Sequence, residues 1–221
     1  MTTLNNVRNI VRIIPFEKCH QEQVAKLFRE GLTGAYVSKG ETMLKLQEWY
    51  VNDKLSKDNG GDMHCIWDSY NMQNSSKDET DCTNFWVAYE DSTDKVVGCV
   101  GLTNFITSQN HRNETEKEIK EVGEFYTCEL QRMSVDKECR GQNLGKRLCN
   151  TVEEYAIQKG MRNIIVSTLS DMDLARKLYE RCGYKFIKET QISEKHIIGS
   201  IGPGNWTKMF VSHYEKKLNI P

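Results

Sequence analysis

The chain has 221 residues, 38% of them hydrophobic and 9% aromatic, which suits one domain with a real core. Its 30 basic and 31 acidic residues give a formal net charge of -1, without the basic excess that nucleic-acid-binding proteins usually carry. The longest apolar run, near residues 96–102, is too short to span a membrane, and residues 1–9 lack the apolar core of a signal peptide. We therefore expect a cytoplasmic or nuclear protein with no nucleic-acid partner and no membrane span.

The first half of the chain predicts a strand, two helices and a hairpin. Val24, Leu27 and Phe28 have the spacing of one helix face, and Met43, Leu46 and Tyr50 form a second such stripe. The predicted elements are a strand at 10–14, helices at about 17–30 and 41–55, and strands at 83–89 and 95–106.

Two polar stretches interrupt these elements. Residues 56–81 are rich in Asp, Asn, Ser and Lys, with Trp67 and Tyr70 as candidate anchors, and residues 107–120 are polar and charged. Both read as insertions into a single domain that covers residues 1–221.

The second half of the chain predicts a strand–helix–strand crossover followed by a further helix and two strands. A glycine follows each predicted helix, and Ser170 is placed to cap the second one. The predicted elements are strands at 124–135, 163–169, 184–189 and 206–214, and helices at 143–159 and 170–182. The whole pattern is that of a mixed α/β domain.

The strand at 124–135 carries an irregular spacing. Leu130, Met133 and Val135 are three and then two residues apart, whereas a regular strand holds a spacing of two. The slip predicts a β-bulge near Gln131 or Arg132.

The turn after this strand is the clearest chemical signal. It reads Arg140-Gly141-Gln142-Asn143-Leu144-Gly145-Lys146 and opens a helix, where free backbone N–H groups can bind a phosphate. It is not a P-loop, because Arg140 stands where the first glycine belongs and Arg147 where Ser or Thr does. It does not fit the Gly-x-Gly-x-x-Gly dinucleotide fingerprint either.

The turn resembles the Gln/Arg-x-x-Gly-x-Gly/Ala signature of the GCN5-related N-acetyltransferases (GNAT). The resemblance covers roughly residues 10–218 outside the two insertions. Two flanking motifs share it, Glu129-Leu130-x-x-Met133-x-Val135 before the turn and Ala175-x-x-Leu178-Tyr179-Glu180-x-x-Gly183-Tyr184 after it. Phe85-Trp86-Val87-Ala88, Val96-Val97-Gly98 and Glu129-Leu130 are most similar to the camello-type N-acetyltransferases.

The resemblance implies a twisted mixed sheet of about seven strands with about four helices. Splayed central strands would form the acyl-CoA cleft. Backbone groups of Met133 and Val135 would bind the pantetheine arm of acetyl-CoA. The pyrophosphate would lie on Arg140, Gly141, Gln142, Asn143, Gly145 and Lys146. Asn143 replaces the middle glycine of the signature, and Asn tolerates left-handed backbone well among non-glycine residues.

The resemblance also implies catalytic roles. Glu129 would remove a proton from the amine, with Glu124 as a backup, although Glu129 could instead be structural. The N–H of Met133 or Val135 would stabilise the oxyanion. Tyr179 would protonate the departing thiolate, although it could instead be a half-buried core aromatic. No His or Asp is placed to activate a cysteine, so direct attack in a ternary complex is expected.

The predicted function is acetyl-CoA-dependent transfer of an acetyl group to a primary amine, with a small-molecule acceptor slightly favoured. Two alternatives stay open: a protein lysine or N-terminal acceptor, and a non-catalytic acyl-CoA-binding module. The eight cysteines and five histidines are scattered without a Cys-x-x-Cys pair, so no metal is expected. A monomer or homodimer is expected.

Overall fold

The computed structural model describes residues 10–36, 41–73, 81–105, 126–191 and 209–219. Glu124 and the predicted insertion at 107–120 lie outside these residues. None of the helices within these ranges is long and apolar enough to cross a membrane.

Seven strands and five α-helices are described, the third helix having only four residues. In chain order they are β1 (Val11–Pro15), α1 (Gln21–Tyr36), α2 (Glu41–Leu55), α3 (Ile66–Ser69), β2 (Asn84–Glu90), β3 (Lys95–Asn104), β4 (Thr127–Val135), α4 (Leu144–Gln158), β5 (Asn163–Leu169), α5 (Asp173–Arg181), β6 (Lys185–Gln191) and β7 (Phe210–Lys217). Short 3₁₀ turns precede α1 and follow β4.

The strands form one mixed sheet in the order β1-β2-β3-β4-β5-β7-β6. Every neighbouring pair is antiparallel except β4 and β5, which are parallel because α4 connects them as a crossover. The predicted mixed α/β fold with a strand–helix–strand crossover is confirmed.

The sheet is covered on both faces by apolar helix surfaces. Val24, Leu27 and Phe28 of α1 pack with Phe85 and Val87 of β2 on one face, as the helical spacing predicts. On the other face α4 and α5 pack on the sheet through an apolar cluster that includes Leu148, Val152, Leu130, Val166 and Tyr179. Adjacent residues of β4 therefore point to different helix layers.

The start of α5 differs from the prediction. Met172 is its N-cap and makes no side-chain cap bond, so the predicted Ser170 cap is wrong. The Ser170 hydroxyl instead shares a hydrogen bond of 2.8 Å with the buried Ser212 hydroxyl on β7. Burial of that second hydroxyl requires a partner, and Ser170 provides it.

Candidate active site

The two central strands separate at a defined point. β4 and β5 pair only from Thr127 and Asn163 to Leu130 and Val166, although both strands continue beyond. Past Leu130, one edge of β4 therefore has no strand neighbour among the described residues.

A β-bulge lies where this separation begins. Gly101 of β3 is opposite Gln131, and Cys99 is opposite Ser134, so β4 holds one extra residue in this interval. Arg132 has the left-handed φ of 54° within it. The predicted bulge is confirmed, and it bends β4 where the gap opens.

The backbone of β4 beyond the bulge points into the gap. The N–H of Asp136 donates to the carbonyl of Val97 on β3 at 2.9 Å. Successive peptide groups of a strand alternate in direction, so the N–H groups of Met133 and Val135 point away from β3. The Val135 carbonyl accepts from Nε of Arg140 at 3.3 Å on that side. An extended chain in the gap could therefore pair with Met133 and Val135 as a strand would.

The glycine-bearing turn brings a helix N-terminus to the same gap. Gly141 has φ 79°, and Asn143 is left-handed with φ 59° and ψ 13°, as its tolerance for that region predicts. The N–H of Arg147 donates to the Asn143 carbonyl at 3.0 Å, so Leu144, Gly145 and Lys146 precede the first intrahelical donor.

The charge of this helix start suits an anion. The first turn of α4 holds no acidic residue, and the Asn143 side chain makes no cap bond. Arg140, Gln142 and Lys146 are exposed around it. Basic side chains at a helix N-terminus oppose the helix dipole, and a bound phosphate would reverse that penalty.

Gly145 has a packing role as well. A Cβ at this position would lie 3.0 Å from Cδ2 of Leu178 on α5. The glycine therefore allows α4 and α5 to approach each other, in addition to leaving its N–H open. A bulky substitution would disturb both, so it cannot isolate phosphate binding.

Glu129 is buried in the sheet just before the gap, with 1% of its surface exposed. It lies opposite Thr103 of β3 and Ile165 of β5. Its Oε2 accepts a hydrogen bond of 2.9 Å from Nε2 of Gln131. The Thr103 hydroxyl is buried and has no hydrogen-bond partner within the described ranges. The carboxylate thus lies at the end of the paired part of β4, on the α1 and α2 side.

Tyr179 lies on the other side of the sheet and is 5% exposed. Its ring packs 5.8 Å from the Tyr184 ring and 6.3 Å from the Tyr214 ring. Burial raises the pKa of Tyr179, and the neighbouring Cys149 and Cys182 raise it further, so the hydroxyl stays protonated near neutral pH. The structure therefore places Glu129 and Tyr179 on different faces, with the gap between β4 and β5 as the opening between the two layers.

An ion pair that the sequence did not predict lies beside the bulge. The guanidinium of Arg132 donates to both carboxylate oxygens of Asp62, at 2.7 and 2.8 Å, and to the Tyr50 hydroxyl at 2.5 Å. Its carbon centre lies 5.8 Å from the Phe28 ring. One side chain thus joins the bulge to α1, α2 and the segment before α3.

Asp62 and Arg132 each stabilise the charged form of the other. Burial alone would raise the pKa of Asp62, but the charge and hydrogen bonds of Arg132 outweigh it and lower that pKa. Burial opposes the charge of Arg132 too, yet Tyr50 and Asp62 raise the Arg132 pKa well above its usual value. The only sequence signal was a charged residue at the predicted bulge.

The segment that supplies Asp62 is packed against the sheet. Met63, Ile66 and Tyr70 are buried, and Tyr70 was one of the two predicted anchors. Trp67, the other, is half-buried with the Lys18 ammonium 5.0 Å from its ring centre. Across the described ranges, no group of three or more His, Cys, Asp or Glu side chains is placed to hold a metal ion.

Comparisons with known proteins point to one family. The model of the acetyltransferase (GNAT) family matches residues 43–184. The Xenopus laevis protein named "Probable N-acetyltransferase camello" is 36% identical over 124 residues, which are 56% of this chain and 45% of that protein. The Xenopus tropicalis protein named "N-acetylaspartate synthetase" is 32% identical over 114 residues, 52% of this chain and 34% of that protein. The matched segment thus spans under half the length of these relatives.

Solved structures share the fold at low sequence identity. An acetyltransferase of the GNAT family from Staphylococcus aureus Mu50 has a TM-score of 0.56 and 18% identity, and the match covers 95% of this chain and 100% of that one. A Salmonella typhimurium protein solved with its cofactor acetyl-CoA has a TM-score of 0.57 and 12% identity, over 96% of this chain and 95% of that one.

Proposed function

The chain belongs to the acetyltransferase (GNAT) family, as its motifs predict, and from that premise we propose that it transfers an acetyl group from acetyl-CoA to a primary amine. The observation that carries the proposal is the gap in the sheet. The outward N–H groups of Met133 and Val135 lead directly to the open N-terminus of α4. A chain that pairs like a strand and ends in a phosphate matches both parts.

The pantetheine arm of acetyl-CoA has amides that can pair with Met133 and Val135, and its pyrophosphate suits residues 140–146. Arg140 and Lys146 would neutralise phosphate charge from the exposed rim. Backbone N–H groups of Gly141, Gln142, Asn143 and Gly145 would donate to phosphate oxygens. In this arrangement the thioester would lie beside the end of the paired part of β4, near Glu129.

Transfer forms a bond between the amine nitrogen and the acetyl carbon and breaks the carbon–sulfur bond. Glu129, directly or through a water, takes a proton from the attacking amine. The N–H of Met133 or Val135 stabilises the developing oxyanion on the acetyl group. Tyr179, protonated because burial raises its pKa, gives a proton to the departing thiolate through the gap.

We favour a small-molecule amine as the acceptor over a protein lysine or N-terminus. The name of one relative, N-acetylaspartate synthetase, is that of a small-molecule acetyltransferase. Because the match covers only part of that protein, it supports the class of acceptor and not the particular amine.

A thiol-release assay with acetyl-CoA tests the function. A panel of small amines is run beside lysine-containing and N-terminal peptides on the full chain. We expect release of CoA that depends on a small amine. Turnover with peptides alone would reassign the acceptor, and acetyl-CoA binding without turnover would indicate a non-catalytic module.

Charge reversal at Lys146 tests the phosphate site without disturbing the packing around Gly145. Lys146→Glu places a like charge beside the pyrophosphate at the exposed start of α4, so acetyl-CoA affinity should fall about tenfold. Calorimetry measures the affinity. The control is Lys57→Glu, the same change at an exposed position after α2. Equal affinities for both variants would rule out this phosphate site.

Removal of the Tyr179 hydroxyl tests the leaving-group step. Tyr179→Phe keeps the ring contacts with Tyr184 and Tyr214, so the fold should be retained. Turnover should fall roughly 10- to 100-fold, because a thiolate is already a fair leaving group and needs limited help. The basic limb of the pH–rate profile should also change. An unaltered rate and profile would show that Tyr179 only packs.

A further inference from the structure

We propose that Gln131 and Tyr70 are positioning residues that hold the Glu129 carboxylate for proton removal. The inference rests on the proposed function, and it adds two side chains to which the family resemblance assigns no role. They belong to a continuous series of hydrogen bonds, here called the carboxylate network: Glu129, Gln131, Tyr70, Asp62 and Arg132.

The chemistry of the network fixes its direction. Nε2 of Gln131 donates to Oε2 of Glu129 at 2.9 Å, so the amide oxygen faces the other way, to the Tyr70 hydroxyl at 3.4 Å. The flipped amide would instead set its oxygen against the carboxylate, two acceptors with no proton between them. Only one orientation of Gln131 therefore satisfies both neighbours.

The packing around Tyr70 leaves the ring little freedom. The side chain is 1% exposed, and its ring lies 4.9 Å from the Phe85 ring. A Cβ on Gly101 would lie 2.6 Å from the Tyr70 ring, so the absence of a side chain there makes room for it. Gly101 is directly opposite Gln131 in the sheet. The hydroxyl is thus held over the strand position that carries the amide.

The far end of the network keeps Tyr70 a donor. Burial raises the pKa of Tyr70 well above its usual value, and the Asp62 charge raises it further. Asp62 stays ionised because Arg132 lowers its pKa. The single Tyr70 proton therefore lies between two acceptors, Asp62 Oδ2 at 3.2 Å and the Gln131 amide oxygen.

The consequence for catalysis is preorganisation. A glutamine side chain has several rotatable bonds, and anchoring its oxygen fixes the N–H that it offers to Glu129. A base held at one position needs no reordering when the amine arrives, and small displacements of catalytic groups are costly to rate. The bulge at Arg132, which opens the gap for acetyl-CoA, thereby also anchors the side chains that orient the base.

A double-mutant cycle on the full chain tests this role. Gln131→Leu and Tyr70→Phe are each made in the wild type and in Glu129→Gln, with Tyr155→Phe as a control tyrosine on the other face, packed 5.0 Å from Trp86. The readouts are kcat, the KM for acetyl-CoA, the pH–rate profile and the melting temperature.

We expect kcat to fall about tenfold in Gln131→Leu and several-fold in Tyr70→Phe, with the KM for acetyl-CoA within about twofold. Gln131→Leu and Tyr70→Phe should shift the acidic limb of the pH–rate profile, and the control Tyr155→Phe should not. In the Glu129→Gln background, neither Gln131→Leu nor Tyr70→Phe should lower kcat further. The positioning role alone would be overturned in two cases. In the first, Gln131→Leu and Tyr70→Phe lower kcat as much in the Glu129→Gln background as in the wild type. In the second, they leave kcat unchanged although Glu129→Gln itself is slow. A wild-type rate from Glu129→Gln would instead refute the role of Glu129 as the base. An absence of turnover by the wild type would refute the transferase activity, and either result would remove the inference as well.

Discussion

Glu129→Gln should lower turnover by about 100-fold or more while leaving acetyl-CoA affinity unchanged. The substitution keeps the size of the side chain and its capacity to accept from Gln131, so the buried position in β4 is preserved. It removes the one property that the mechanism needs, a carboxylate that can take a proton. Initial rates across pH and calorimetry with acetyl-CoA measure the two quantities separately.

The control is Glu154→Gln, the same change at an exposed position of α4, which should leave the rate unaffected. Wild-type rates from Glu129→Gln at every pH would contradict the base role. The proton would then pass to Glu124 or to water without an enzymic base.

Arg132→Met should destabilise the fold by about 2–3 kcal/mol, because it leaves Asp62 without its partner in an ion pair whose side chains are only 15% and 26% exposed. Asp62 would remain beside the sheet, and its pKa is lowered by this arginine. The change also removes the donor to Tyr50. Arg and Met have the same steric penalty for the left-handed φ at position 132, so the loss of stability reports the lost side-chain contacts. Urea unfolding followed by circular dichroism measures it.

Two companion variants sharpen this experiment. Lys45→Met breaks an exposed pair with Glu41 on α2 and should leave the free energy of unfolding nearly unchanged. Asp62→Asn combined with Arg132→Met should lose less than the sum of the single changes, because the two side chains act as a pair. A loss for Arg132→Met as small as that for Lys45→Met would show that the ion pair does not hold the bulge.

Local sequence signals were sufficient for the scaffold of the cleft. The slip from three to two in Leu130, Met133 and Val135 located the bulge, because side-chain direction in a strand depends only on near neighbours. The left-handed turn at Asn143 and the helix after it were predictable for the same reason. Each of these features is decided within a few residues.

Contacts between distant segments were not predictable in the same way. Asp62 and Arg132 are 70 positions apart, and no periodicity links them. The stretch at 56–81 is polar in composition, which conceals the buried Met63, Ile66 and Tyr70 that pack residues 63–70 against the sheet. Gly145 looked like a phosphate-loop glycine only, because its contact with Leu178 depends on how α4 and α5 meet. The support for Glu129 combines its near neighbour Gln131 with tertiary contacts to Tyr70, and these contacts are not visible in the sequence.

The most direct test of the cleft is an acetyl-CoA titration of the full chain followed by backbone amide NMR. Binding along the open edge of β4 and at the start of α4 predicts that the amide signals of Met133, Val135 and residues 141–146 shift together and saturate, while that of Lys57 stays in place. An unchanged spectrum at about 1 mM acetyl-CoA, the weak end of ordinary substrate affinities, would contradict the cleft as the acetyl-CoA site. Saturating shifts confined to other strands or helices would contradict it equally.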